Sequence, residues 1–340
     1  MLDSDIVSDW FYKIPKIELH LHLEGAIPIG TLWKLVQKYG GDPSIPDRGA
    51  LEAKFRYIDF PHFIKAWIWK NQFIREYEDF TLIAEAVANQ LAQMNTRYSE
   101  VFYSPPDFFQ HGLNTQDITV AIRKGLDLVP EVEVALVTDL VRDYGPENAA
   151  TTLSQVNEVS DLGVVGIGIG GSEQGFPPEL FEDVFESARE LGLRTTAHAG
   201  EAAGSSSIWG VINSLRVDRI GHGTRAFEDP KLLKHLIEHQ IPLEICPISN
   251  VCTGVVPSLK DHPLRSYYDQ GLSITINTDD PVMFDTSLAK EYRSLVTDLG
   301  FSHSDIKDLI LNGLRSSWLP PNRKKTLQDE FIANPAWELH

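Results

Sequence analysis

The sequence predicts an α/β fold: a (β/α)8 TIM-type barrel with a helical lid inserted after strand 1. Three observations predict it. Eight short runs rich in Val, Ile and Thr recur along the 340 residues, most of them ending in glycine or polar turn residues. Segments with apolar residues at helical spacing separate most of these runs. The alternation means parallel strands joined by crossover helices, and eight such units in this length suit a closed barrel. A doubly wound open sheet is the runner-up. It is disfavoured because no GxGxxG stands between a strand and a helix with an acid about 20 residues later. The run GVVGIGIGG is glycine-rich, but it lacks that spacing and also lacks the Lys-Ser/Thr of a P-loop.

In chain order the strands are expected at IELHLH (17–22), YSEVFYSP (98–105), VEVALVTDLV (132–141), GVVGIGIG (163–170), LRTTAHAG (193–200), RIGHGT (219–224), PLEICPI (242–248) and LSITINT (272–278). Helices are expected over 80–95, 115–129, 147–159, 178–192, 206–216 and 230–240, and glycines in LGLR and QGL mark stops. Residues 23–97 break this rhythm, being far longer than one crossover. They contain Phe63, Trp67, Trp69 and Phe73 close together, which read as helix-to-barrel packing or as a lid over the strand ends. The last forty residues read as a terminal helix and a tail. Residues 1–340 are expected to form one domain, with 23–97 including the lid.

Composition narrows the function. A formal net charge of −18 and a pI near 5.0 repel phosphate backbones, so no nucleic-acid partner is expected. A small neutral or cationic ligand remains compatible. The stretch MLDSDIVSDWF has no basic region and no long apolar run, so no secretory leader is expected. No stretch of about 18 apolar residues suggests a membrane span. Two cysteines, Cys246 and Cys252, do not make a disulfide framework, so a reducing cytoplasm is expected. Cys246 reads as a buried strand residue. The sequence is silent on oligomeric state.

The chemistry gathers at strand ends. His20 and His22, at positions i and i+2 of a strand, point to one side. At the C-terminal end of a barrel strand that side is the mouth, where two imidazoles can share one ion. Strand five ends with His198 and Glu201, strand six carries His222, and strand eight ends with Asp279 and Asp280. A barrel brings such distant positions together at one face. Imidazole nitrogens with one carboxylate are a common ligand set for Zn2+ or Fe2+. Zinc lowers the pKa of bound water to roughly 7 in favourable sites. His222 is then suited to orient or deprotonate water, and Glu201 to donate a proton. His62, His111, His235, His239, His262, His303 and His340 fall in expected helices, loops or the tail, and read as surface or packing residues.

Six motifs occur together: PKIELHLHLEGA, VVGIGIGGSE, TAHAGE, RIGHG, CPISN and NTDDP. On them, from about Pro15 to about residue 300, the chain resembles the adenosine deaminase family of the amidohydrolase-type metal barrels. The resemblance implies one divalent metal ion, Zn2+ first among the candidates, held by His20, His22, His198 and Asp279. It implies Glu201 as the acid that protonates purine N1 and His222 as the residue that positions the hydrolytic water, as base or electrostatic stabiliser. It implies Asp280 as the partner of N7 and the Gly171 backbone as the neighbour of N3. The reaction implied is hydrolytic loss of ammonia from C6 of an aminopurine, which is the small-molecule partner expected.

The match departs from the family pattern at two places. Glu24 stands where adenosine-specific members usually carry Asp, and members acting on free adenine often have Glu. After strand four the chain reads Ile169-Gly170-Gly171-Ser172-Glu173, against LAGDE in the adenosine type and LDSSE in the adenine type. Gly170 and Gly171 are expected to return the space that Glu24 takes, giving a pocket for an N9 substituent and a site set of His22, Glu24, Gly171 and Asp280 around a nucleoside. Aminodeoxyfutalosine, a nucleoside of the menaquinone pathway with a bulky 5′ extension, free adenine and N6-substituted adenines are the alternatives. Another mononuclear-metal amidohydrolase is a more distant one, and a non-catalytic relative would have lost a ligand or the acid. Strand four carries no lysine to bridge two ions, so one metal is favoured. The His-x-Glu and Pro-Cys-x-x-Cys pattern of the other zinc deaminases is absent.

Overall fold

The computed structural model describes residues 9–57 and 60–339. Eight strands lie in one sheet in sequence order: β1 Lys16–His22, β2 Thr96–Tyr103, β3 Glu133–Asp139, β4 Val164–Gly168, β5 Arg194–Ala199, β6 Arg219–His222, β7 Leu243–Ile245 and β8 Ile274–Ile276. Each pairs in parallel with the next. All eight expected strands are present; β1 and β2 start one and two residues earlier than expected, and the others are trimmed at their ends.

The sheet closes on itself where β8 runs on toward residue 279. Leu21 and Asp279 form a parallel bridge, with His22 N donating to Asp279 O at 2.9 Å and Asp279 N to His20 O at 3.0 Å. Side chains complete the seam. Leu19 N donates to Asn277 Oδ1 at 2.8 Å, and Thr278 N donates to Glu18 Oε1 at 2.9 Å. These bonds satisfy backbone donors that a three-residue β8 leaves without a ladder partner. β1 is buried along its whole length, as parallel strands covered on both faces must be.

The expected helices form with shifted ends. The one expected over 80–95 starts earlier, at Tyr77, because Glu76 and Asp79 build a reciprocal capping box before it. The segment 206–216 is an α-helix over Ser205–Gly210 continued by a π-turn over Val211–Leu215. β7 is short because Pro247 opens a helix, Pro247–Cys252. Cys246 is therefore buried at that helix's N-cap rather than inside the strand. The C-terminal part forms helices over His303–Ser316 and Pro321–Ile332, and Trp337 packs on Trp10 with ring centroids 5.9 Å apart.

Among the described residues four helices lie between β1 and β2: α1 Ile29–Lys38, α2 Arg48–Lys54, α3 Phe60–Asn71 and α4 Tyr77–Gln93. The four aromatics noted on α3 and after it divide by role. Trp67 stands edge-on to His22 at 6.0 Å, and Phe63 stacks on Phe284 at 5.1 Å. Trp69 instead packs against Phe73 at 5.2 Å and lies under Lys54, among the inserted helices. Among the described residues no helix is long and apolar enough to cross a membrane.

Candidate active site and metal centre

The mouth of the barrel is built from the ends of β1, β5, β6 and β8. His20 Nε2 lies 3.1 Å from His198 Nε2 and 3.4 Å from Asp279 Oδ1. His22 Nε2 lies 3.2 Å from His198 Nε2 and 3.4 Å from Asp279 Oδ1. Four ligand atoms placed tetrahedrally around an ion at 2.0–2.1 Å would be separated by about 3.4 Å. Four separations among the four residues expected as ligands thus match those of a tetrahedral site. His222 is close as well: His20, His198, His222 and Asp279 offer atoms within 4.8 Å of one another. Its Nε2 lies 3.5 Å from Glu201 Oε2 and 3.9 Å from Asp279 Oδ2, between the acid and the donor group.

Two of the four donors, His20 and Asp279, are held by a side chain behind them, and the backbone of a third, His198, is fixed by Arg142. His20 Nδ1 meets Glu244 Oε2 of β7 at 2.8 Å, which turns the Nε2 lone pair toward the centre. Ser249 Oγ donates to Asp279 Oδ2 at 2.6 Å. Arg142, fully buried, donates to the carbonyl of His198 at 2.7 Å and to those of Ile169 and Gly170. Asn250 Oδ1 accepts from Thr224 Oγ1 at 2.8 Å and from His262 Nε2 at 3.2 Å. Its amide nitrogen therefore faces His222 Nδ1, at 3.1 Å, and leaves the His222 proton on Nε2, toward the site.

The electrostatics suit a cation. Burial lowers His22 to about 4 and takes His198 well below its ordinary value, so both rings are neutral. Burial also lowers His222, to about 3. For Asp279, burial acts upward but is outweighed by the His20 hydrogen bond and the surrounding imidazoles, which hold it well below the carboxylate range. At His20 burial acts downward, yet Asp279 and Glu244 outweigh it and raise the ring to about 10. A positive charge is thus favoured where the four donors converge, and a divalent ion held there would supply it in place of that proton. Buried atoms without a hydrogen-bond partner cluster here too: His22 Nδ1, His198 Nδ1, His222 Nε2, Asp280 Oδ1 and Glu24 Oε2. The donor set fits a Zn2+-type ion.

The remaining expected residues surround this centre. Burial, then Asp279 and Glu173, push the Glu201 carboxyl well up; burial and Asp279 do the same for Asp280. Gly25 explains the end of the β1 motif, because a Cβ there would lie 1.6 Å from Asp280 Oδ1. Burial raises Glu24 to about 7, and its Oε1 accepts from Ser104 N at 3.0 Å. The space that Gly170 and Gly171 are expected to free is filled. A Cβ at 170 would meet Asp139 Oδ2 at 3.0 Å, and one at 171, where φ is +98°, would meet Asp143 Oδ2 at 2.1 Å. The close approach of Asp143, which accepts from Ser172 N at 2.8 Å, requires glycine at 171.

Several residues at the site are not singled out by sequence reasoning. Ser249 and Asn250 lie in the quoted CPISN motif without a role. His262, read as a surface or packing histidine, is buried behind Asn250. Lys70 on α3 is buried, with its ammonium 3.5 Å above the Trp67 ring and bonded to Asn71 Oδ1 at 2.6 Å. Burial lowers it to about 8 against the pull of Glu24, Asp280 and Asp107. Its place in the run WIWKN was the one available signal, a lysine among aromatics of an amphipathic helix.

The chain is similar to known proteins along most of its length. The family model described as Adenosine deaminase matches residues 15–334. An aminodeoxyfutalosine deaminase of Streptomyces avermitilis is 36% identical over 324 residues, covering 94% of this chain and 90% of that protein. An adenosine deaminase of Shewanella denitrificans is 33% identical over 325 residues, covering 93% and 97%. Among solved structures, an adenine deaminase from Arthrobacter aurescens superposes with a TM-score of 0.88 at 31% identity, covering 94% and 98%. An amidohydrolase from Burkholderia ambifaria with bound zinc superposes with a TM-score of 0.89 at 26% identity, covering 100% and 94%.

Proposed function

Because the chain belongs to the adenosine deaminase family and is a hydrolase of C–N bonds, we propose that it removes the 6-amino group of an aminopurine nucleoside by zinc-dependent hydrolysis. One observation carries the reading: three imidazoles and a carboxylate with contacts of 3.1–3.4 Å share one mouth with the Glu201–His222 pair and an unpartnered Asp280 Oδ1. His20, His22, His198 and Asp279 would hold the ion. When bound, zinc supplies a Lewis acid that makes hydroxide available near neutral pH.

The chain's own groups do the rest. Glu201, kept protonated by burial, donates its proton to ring N1, which makes C6 electrophilic. His222, neutral and with its proton on Nε2, donates a hydrogen bond to the attacking oxygen and orients it, so its role is stabilisation rather than proton abstraction. Asp280, also kept protonated by burial, donates to N7, a ring acceptor. Water adds at C6, one of its protons returning to the Glu201 carboxylate and the other passing to the departing amino group, so ammonia leaves and the 6-oxopurine with N1–H remains. Helices α1 to α4 act as a lid of the single barrel domain. They are tied down where Trp67 Nε1 and Asn71 Nδ2 both donate to Asp107 Oδ2 at 2.9 Å. The free thiols of Cys246 and Cys252 suit a cytoplasmic location.

Glu24 Oε2 is unpartnered and free to accept from a sugar hydroxyl, which supports a nucleoside. A second reading, free adenine, is favoured by the carboxylates that fill the space beside Gly170 and Gly171, since an N9–H also satisfies Glu24. A substrate panel on the zinc-loaded protein tests both, following the loss of 6-aminopurine absorbance. It includes adenosine, 2′-deoxyadenosine, aminodeoxyfutalosine, adenine and N6-methyladenine. The highest kcat/KM on a nucleoside is expected. Adenine ahead of every nucleoside selects the second reading, and silence across the panel with one metal per chain rejects both.

A further inference from the structure

We propose that Glu173 is a positioning residue for Glu201, acting through the backbone of the loop after β5. The inference rests on the deaminase reading above, in which Glu201 is the acid. Glu173 ends the GGSE stretch, in which only the two glycines have a role so far. Its carboxylate is buried and receives four successive backbone amides. Gly200 N and Ala203 N donate to Oε2 at 3.0 and 3.2 Å, and Glu201 N and Ala202 N donate to Oε1 at 3.0 and 3.1 Å.

Gly200, at φ +69°, turns the chain so that these N–H groups converge. Consecutive amides converging in this way form an anion nest, here filled by a side chain of the same protein. Only a carboxylate can end such a nest well, since it accepts at both oxygens and brings no donor. Gln174 Nε2 adds a bond to Ala202 O at 2.8 Å. The anchor is itself held, because Ser172 N is bound by Asp143 and Gly170 O by Arg142. Glu201 sits in the middle of this loop, with its own carboxylate 3.5 Å from His222 Nε2. Fixing its amide fixes the origin of the side chain that must reach N1, and a misplacement of about 1 Å can cost about 10²-fold in rate.

The test compares Glu173→Gln, Glu173→Asp, Glu201→Gln and the Glu173→Gln/Glu201→Gln double variant, each as zinc-loaded full-length protein. Glutamine keeps the shape but turns an NH2 toward two donors. We expect E173Q to lower kcat by about 10²-fold with KM within about threefold, and E173D to recover part of the loss. Metal stoichiometry and Tm are expected to stay near those of the wild type. In the E201Q background, E173Q is expected to cause no further loss, because the group it positions is already gone. A full multiplicative loss in the double variant, or an E173Q with kcat within about threefold of wild type, overturns the proposal. Amide hydrogen exchange separates this from failure of the deaminase reading, since it needs no turnover. E173Q should exchange about tenfold faster or more at Gly200–Ala203 and nowhere else. Unchanged protection there removes the tether whatever the substrate.

Discussion

The two ends of the barrel bury charge in opposite ways. At the mouth, five buried polar atoms on His22, His198, His222, Asp280 and Glu24 lack a protein partner. Toward the floor, Arg219 lies buried between two acids, with Nε 2.5 Å from Glu244 Oε1 and Nη2 2.6 Å from Glu100 Oε2. Glu100 Oε1 also accepts from Tyr98 Oη at 2.9 Å and from Trp318 N at 2.5 Å. Arg219 Nη1 donates to Ser316 O at 3.0 Å, and its guanidinium lies 3.7 Å from the Trp318 ring. Arg219 Nη2 and Glu100 Oε2 meet as an ion pair without a hydrogen bond, so this network is held by opposite charges and is structural, whereas buried groups left without an opposite charge lower stability and are tolerated where chemistry uses them. Glu244 joins the two ends, because its other oxygen holds His20.

Substitutions at the mouth should separate activity from stability. Glu201→Gln is expected to lower kcat by about 10³-fold or more while keeping one metal per chain and a wild-type Tm. His198→Ala is expected to lose both activity and metal, which elemental analysis will read. Asp280→Asn should also lower kcat, yet hold or raise Tm, since it removes a buried carboxyl with no partner at Oδ1. A fall of Tm in Asp280→Asn comparable to that of a floor variant would erase the distinction between the ends.

The floor should show the reverse. Arg219→Met leaves Glu100 and Glu244 buried without their cation, and breaking a buried pair from one side costs about 3–5 kcal/mol. Denaturant unfolding is expected to show that loss. Because Glu244 also orients His20, metal affinity is expected to fall about tenfold or more in the folded variant. Unchanged metal affinity beside a large stability loss would mean that the floor does not reach the mouth.

The mouth was largely legible in the sequence and the floor was not. His20 and His22, or Glu201 beside His198, are short local patterns, and barrel topology alone brings them together. The eight strands were legible for the same reason, as Val- and Ile-rich runs bounded by turns. Arg219, Glu100 and Glu244 lie on three different strands, and each read alone is indistinguishable from a surface charge. His262 and Asn250 gain their role only from the fold that stacks them behind His222. Glu173 was quoted within a motif, but its partners are backbone amides, which no side-chain pattern reveals. The space argument at Gly170 and Gly171 failed because Asp139 and Asp143, from the neighbouring strand end, occupy what the glycines leave.

Lys16, at the start of β1, gives the smallest and most specific test of how this end handles charge. It is buried, with Nζ donating to Ile14 O at 2.7 Å and Tyr12 O at 3.3 Å. Burial lowers it to about 7, against the ordinary 10.5, with Asp9 pulling weakly the other way. Between these values the unfolded chain holds a proton that the folded chain has released. Stability therefore rises with pH across that window, and the full penalty of burying the ammonium is present below about 7. Lys16→Met has no such proton. Its stability relative to wild type should be most favourable at pH 6 and should shift toward wild type by about 2 kcal/mol or more by pH 10. The carbonyls of Tyr12 and Ile14 lose their donor in the variant at every pH, so that loss offsets the whole curve without tilting it. Urea unfolding of both proteins at pH 6, 8 and 10 isolates the tilt. A difference that stays constant would mean that Lys16 reaches solvent and that the floor, unlike the mouth, leaves no ionisable group under strain.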